Sequence, residues 1–319
     1  MLGTKNSILG IDIGTSNIKI VHLKQNEKWQ LVNWALTKTP KNVMVNSRIT
    51  DRNKLALTLK DVLSQNNIKE KKAVTAVSNH RIITRYITLP NMPLNELKEA
   101  VKWEAKNHIP IFNDNLLIDT KVLKRTDDNK LKIVLAGLDK NTSSEYLNML
   151  LDAGLDPIAI DIYPVALERC FSSLDIEEPY CIMDIGASLT KLVIIKDGYI
   201  YADNIIHLGI QNLQGNIIDY FNSNYTSPIL NELIEEINRF LQFFSSQNRG
   251  KNIKKLVLTG GGALWKGLVD FITQELGIPS ASEFDLPDID IDFKTLNLKK
   301  EDLHILSNAI GLAMRGVVI

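Results

Sequence analysis

The chain has 319 residues, 45% hydrophobic and 23% charged, as in an ordinary soluble protein, and its length suggests about two domains. Thirty-seven basic residues balance thirty-seven acidic ones, so no general attraction to nucleic acid or an anionic membrane is expected. Cys170 and Cys181 supply neither a disulfide framework nor a metal cluster and are expected as reduced thiols of a cytoplasmic protein. No run approaches the roughly 20 apolar residues of a membrane helix. The N-terminus is too short and interrupted for a signal peptide. Direct membrane insertion is therefore not expected, and any membrane link must run through a partner.

Strands are predicted over 8–13, 17–24 and 29–37. The first two flank Ile11-Asp12-Ile13-Gly14-Thr15-Ser16-Asn17-Ile18-Lys19-Ile20-Val21 and read as a hairpin with glycine at its tight turn. A helix near 52–66 and a strand near 72–77 follow. From residue 83 to about 160 the pattern is strand, helix, strand, strand, helix, strand: Ile82–Leu89, Leu94–His108, Leu116–Leu123, Lys132–Ala136, Ser143–Ala153 and Pro157–Ile162. Pro93 favours a helix start, Leu94, Leu97, Val101 and Ala105 form one apolar stripe, and Pro110 ends the helix. A helix from Pro164 to Phe171 then crosses toward a second lobe.

That lobe opens near Tyr180 with an echo of the first hairpin. Residues 183–193 read Met-Asp-Ile-Gly-Ala-Ser-Leu-Thr-Lys-Leu-Val, so Asp184 matches Asp12, Gly186 matches Gly14, Ser188 matches Ser16 and Lys191 matches Lys19. Two such turns in separate halves point to two similar lobes with a phosphate chain between them. Short hydroxyls and backbone N–H groups suit phosphate oxygens, glycine permits close approach, and Asp12 and Asp184 suit a hydrated Mg²⁺.

Helices are predicted near 210–222 and 229–245, then a solvated basic connection at Lys251, Lys254 and Lys255. Next, the strand Leu256–Thr259 runs into Gly260, Gly261 and Gly262, with a helix from Leu264 to Leu276. Such a junction would place a helix N-terminus at a ligand, but it carries neither a P-loop nor a dinucleotide glycine pattern. The acid-rich segment 282–293 lacks the glycine and terminal glutamate of a calcium loop and reads as a surface loop beside a short edge strand.

In order, these three segments resemble the phosphate 1, phosphate 2 and adenosine motifs of the superfamily that includes actin, chaperone ATPases and sugar kinases. The resemblance spans nearly the whole chain. It implies a two-lobed, actin-like (ribonuclease H-like) α/β ATPase fold closing over ATP and Mg²⁺. Gly14, Thr15, Ser16 and Lys19 would meet one side of the phosphates and Asp184, Gly186, Ala187 and Ser188 the other, with Gly260, Gly261 and Gly262 behind the adenosine. Glu236 and Arg239 fit a Glu-x-x-Arg pair that reaches the nucleoside in bacterial relatives; the same spacing also fits a surface ion pair. Gly209 stands where the family has two glycines, the second being Ile210 here.

Residues 87–112, with Leu89-Pro90-Asn91-Met92, Trp103-Glu104-Ala105 and Ile109-Pro110, are similar to the signature of the PilM family of type IV pilus assembly proteins. Residues 153–167 and the terminal Asn308–Arg315 resemble that family too. The resemblance implies a first lobe over 1–82, an inserted 1C subdomain over 83–162, a crossing helix over 163–179 and a second lobe over 180–319, its last helix returning toward the first. It further implies an ATP-binding protein at the inner face of the cytoplasmic membrane that captures the cytoplasmic N-terminal peptide of PilN. A pilus assembly ATPase is a second partner the resemblance admits, and at most slow ATP hydrolysis is expected. The alternatives are an FtsA-like cell-division scaffold, whose C-terminal membrane helix is not expected where the sequence stops at Ile319, and a small sugar kinase.

Overall fold

The computed structural model describes residues 6–45, 48–77, 82–109, 115–212 and 228–316. Two sheets share one topology. The first has six strands, built from β1 (Asn6–Ile13), β2 (Asn17–Gln25), β3 (Trp29–Lys38), β6 (Lys72–Val77), β10 (Asp156–Ile162) and β16 (Ile289–Asp290), in the order β10-β6-β1-β2-β3-β16. The second has five: β11 (Tyr180–Ile185), β12 (Thr190–Lys196), β13 (Tyr199–Ile206), β14 (Lys255–Thr259) and β15 (Ser280–Ala281), in the order β13-β12-β11-β14-β15. In each, an antiparallel three-strand meander is followed by parallel strands on the side of its first member. The sequence echo at the two turns is thus the visible trace of two equivalent sheets.

Between the sheets run α4 (Tyr163–Phe171) and α7 (Asp302–Ala313). Their apolar side chains join those of both inner sheet faces in one core that includes Val21, Leu23, Phe171, Ile182, Val193 and Leu306. The outer faces are covered separately. Helices α1 (Arg52–Gln65) and α3 (Lys140–Asp152) cover the first sheet through Leu55, Leu59, Tyr146 and Met149. Helices α5 (Pro228–Gln247) and α6 (Leu268–Leu276) cover the second through Leu233, Ile237, Phe244 and Ile272. These helices follow from sequence: Asp51 caps α1 by accepting the Lys54 N–H at 3.0 Å, Asp139 caps α3 through Thr142 at 3.0 Å, and α5 buries Leu230, Leu233, Ile237, Phe240, Leu241 and Phe244 at helical spacing.

A third, three-stranded sheet, in the order β7-β9-β8, holds β7 (Ile82–Pro90), β8 (Leu116–Arg125) and β9 (Lys130–Asp139). Helix α2 (Leu94–His108) covers it with Leu97, Val101 and Ala105, leaving Trp103 exposed. The insertion expected over 83–162 is narrower than that: α3 packs with α1 in the first lobe's core and β10 pairs with β6, because their apolar residues complete the first sheet. A short antiparallel pair, β4 (Met44–Val45) and β5 (Arg48–Ile49), packs Met44 and Ile49 into the apolar cluster that α1 and α3 share. Most expected elements stand within a few residues of their predicted bounds. The helix expected near 210–222 begins as a 3₁₀ turn at Ile210–Asn212, and the remainder, like Pro110, lies outside the described residues. The acid-rich segment supplies β16, a two-residue edge strand on β3.

The thinnest packing lies at α7. A methyl group on Gly10 of β1 would sit 1.9 Å from the Ala309 carbonyl oxygen, and one on Gly311 would sit 1.9 Å from that of Ala166 on α4. Both contacts are with backbone, which cannot step aside like a flexible side chain. A second tie joins three elements: the Asp203 carboxylate on β13 accepts from Thr84 Oγ1 at 2.8 Å and Tyr86 Oη at 2.6 Å on β7, and from the Tyr163 hydroxyl on α4.

G311A is expected to lower unfolding free energy by about 1–3 kcal/mol through overpacking, measured by urea denaturation. D203A should cost roughly 1–3 kcal/mol and raise backbone exchange in β7 and β13, read by hydrogen–deuterium exchange.

Candidate functional site

The two glycine turns meet at one cavity of about 210 Å³. Its lining includes Asp12, Gly14, Thr15, Ser16 and Lys19 from the first turn and Asp184, Gly186, Ala187, Ser188 and Lys191 from the second, with Gly260 and Gly261 at the end of β14. The turns are built alike. Gly14 N–H donates to the Asn17 carbonyl at 3.0 Å, and Gly186 N–H donates to that of Leu189 at 2.9 Å. These two amides are thus engaged inside their turns, so any anion contact falls to the residues that follow. Thr15 Oγ1 and Ser188 Oγ lie 2.9 Å apart and tie one turn to the other.

Hairpin register sets the charges. Asp12 stands opposite Lys19 across β1–β2, and Asp184 stands opposite Lys191 across β11–β12. Lys19 Nζ donates to Asp12 Oδ2 at 2.8 Å, and Lys191 Nζ to Asp184 Oδ2 at 3.2 Å. Asp12 and Asp184 are each only 8% exposed. Burial by itself raises the Asp12 carboxyl, but Lys19, Lys191 and the hydrogen bonds from Lys19 and Asn308 outweigh it and hold the group at about 2. Burial likewise disfavours the Lys191 charge, yet Asp184 and then Asp12 hold it above the ordinary lysine range. Asp12 and Lys191 therefore feel each other across the cleft, and the two pairs form one quartet of balanced charge, with Asp12, Asp184 and Lys191 buried and Lys19 partly exposed.

Gly260 has φ of 80°, and a Cβ there would lie 2.3 Å from Asp184 Oδ1. Both the backbone conformation and the carboxylate demand glycine at this point. Gly262 packs on Ile185 and lies outside the cavity lining. The helix expected from Leu264 starts only at Leu268: a 3₁₀ turn over Gly261–Leu264 intervenes, and Gly267, with φ of 85°, re-aims the chain into α6. The α6 N-terminus is thus set apart from the three glycines. Gly209 is also outside the lining, but its segment backs the second turn, because Ile210 N–H donates to the Gly186 carbonyl at 3.0 Å and Gln211 N–H to that of Ala187 at 2.8 Å. Glu236 and Arg239 form a 2.6 Å ion pair on α5, with the arginine side chain 70% exposed, and neither lines the cavity. The surface ion pair is the geometry found there.

Helix α7 adds residues that motif reading passed over. Asn308 Nδ2 donates to Asp12 Oδ1 at 3.0 Å, and Ser307 Oγ lies 2.9 Å from Thr259 Oγ1. Asn308 is 2% exposed, lines the cavity, and has no partner at Oδ1 among the described residues. Its signal in sequence was a polar residue on the apolar run Ala309-Ile310-Gly311-Leu312-Ala313. Tyr146 of α3 and Gln211 also line the cavity. Cys170 and Cys181 are free and buried, and burial raises both thiols, Cys181 to about 12.

Because the folded Asp12 pKa lies below the ordinary value of 3.8, its contribution is complete above about pH 4 and is lost as pH falls toward 2. The contribution is on the order of 2 kcal/mol. Acid denaturation should therefore lose that increment of pH dependence in D12N, measured by chemical denaturation across pH 2–5.

The whole arrangement has solved counterparts. A chain of a PilM–PilN type IV pilus biogenesis complex is 26% identical and superposes with a TM-score of 0.85, covering 99% of this chain and 100% of that one. The ethanolamine utilization protein EutJ from Carboxydothermus hydrogenoformans, 14% identical, shares the fold with a TM-score of 0.51 over 96% of this chain and 88% of its own. The two-lobed actin-like α/β fold expected from the mirrored turns is the fold of this chain. A family model described as type IV pilus assembly protein PilM matches residues 10–227 and 215–317, so the chain belongs to the PilM family.

Proposed function

We propose that this protein is an ATP-binding component of a type IV pilus machine that docks the cytoplasmic N-terminal peptide of a PilN-like inner-membrane protein. One observation carries the reading: a PilM-family chain that superposes over its whole length with a protein solved in a PilM–PilN complex also presents two mirrored Asp-x-Gly turns to a single cavity. Among the described residues no helix is long and apolar enough to cross a membrane, so the peptide supplies the tie that keeps the protein peripheral at the inner face.

The cavity's chemistry fits a nucleotide polyphosphate. Hydroxyls of Thr15, Ser16 and Ser188 and the ammonium of Lys19 suit phosphate oxygens. Asp12 and Asp184 offer the hard oxygen donors that a hydrated Mg²⁺ prefers, and Asn308 Oδ1, beside Asp12, is a buried acceptor with no partner among the described residues. When bound, the metal neutralises phosphate charge. The protein's part is to orient the polyphosphate between the turns, with Gly260 and Gly261 as the floor of the nucleoside end. Glu236, Arg239, Gly209 and Gly262 lie outside the lining, so their roles are secondary in this reading. No dedicated catalytic base is assigned, and turnover is slow.

The peptide docks on the three-stranded β7–β9 unit and its junction with the first sheet, by strand pairing or apolar pockets. ATP alters that groove only if peptide affinity differs between nucleotide states. Titration of a labelled PilN N-terminal peptide with and without Mg–ATP is expected to give saturable binding with a several-fold affinity difference. Equal affinities would remove the coupling, and no binding in either state would remove the partner assignment.

A further inference from the structure

The turn equivalence extends to a residue of the second motif that is not among those assigned to the phosphates. Lys191 occupies in the second hairpin the register position of Lys19 in the first: each lysine faces the aspartate seven residues earlier, across the same antiparallel pair. Both lysines line the cavity, and both bond the Oδ2 of their aspartate. Lys191 is 8% exposed, an uncommon place for a lysine, and its Nζ lies 5.7 Å from the centre of the Tyr163 ring. Purely structural neutralisation of Asp184 would not require a lysine that opens on the cavity and also acts on Asp12 across it.

We propose that Lys191 is a second phosphate-binding cation, the counterpart of Lys19, and that both lysines pass from their aspartates to phosphate oxygens when a nucleotide polyphosphate enters. This rests on the nucleotide reading above and deepens it. Two cations on opposite flanks favour a ligand that carries several phosphates over one that carries a single phosphate. The exchange also strips Asp12 and Asp184 of their counter-ions, so bound polyphosphate and a divalent cation favour each other. The quartet is neutral when closed, and the ligand arrives bringing both the anion for the lysines and the cation for the carboxylates.

Calorimetric titration of the full chain with ATP, ADP and AMP, each with Mg²⁺ and with EDTA, tests this. K191M is expected to weaken ATP and ADP at least tenfold while AMP changes less than threefold, and K191R should recover most of the loss. Because K191M strands a buried carboxylate, D184N and D184N/K191M form a second comparison in EDTA, where neither needs metal; the double variant should bind ATP at least tenfold more weakly than D184N. Thermal melts without nucleotide report folding for each. Folded K191M with unchanged ATP affinity, or a double variant equal to D184N, overturns the role of Lys191 while leaving nucleotide binding intact. Absence of saturable ATP binding by the unsubstituted chain overturns both readings.

Discussion

Helix α7 can sit between the two sheets only because backbone touches backbone at Gly10 and Gly311. This close approach governs the rest of the molecule. With α7 one side chain farther out, Asn308 would not reach Asp12 at 3.0 Å, Ser307 would not reach Thr259, and the His304 carbonyl would not accept the Gly260 N–H at 2.9 Å. The same helix therefore fills the central core and sets the back wall of the cleft. Its residues are nearly all buried, including polar Asn308 and Ser307, at positions where an isolated amphipathic helix would need a solvent face.

Around that helix, electrostatics follows from register. An antiparallel pair fixes which residues face one another, so a repeat that spaces Asp and Lys seven apart across a glycine turn brings them together on one face. Burial then makes the pairing strict, since removing one partner leaves a costly uncompensated charge. The result is a cleft that is charged yet neutral overall, its two carboxylates matched by two ammonium groups.

The fold and the centre of the site were legible in sequence because they rest on local rules. Alternating apolar strands, glycine turns, Asp caps and the Leu97–Val101–Ala105 stripe each act over a few residues. The internal echo extended that reading to two sheets of one topology. Four features escaped because they depend on distant neighbours. Whether α3 and β10 belong to the insertion or the first sheet is decided by pairing with β6 and packing on α1. Gly267, whose left-handed conformation delays α6, looks like any loop glycine in sequence. Glu236 and Arg239 have a spacing that serves a nucleoside contact or a surface pair equally well, and only the rotation of α5 separates the two. Asn308 reaches Asp12 across 296 positions, a distance that no motif bridges.

The carboxylate of Asp203 adds a mechanical property. It sits on β13, the strand beside the one that carries Lys191, and holds hydroxyls from the inserted sheet and from α4 at once. A hinge motion of the second sheet cannot leave the third sheet behind without parting those bonds. The inserted unit is thus fastened to the second sheet and to α4 at once, so parting it from either means breaking hydrogen bonds to one shared carboxylate.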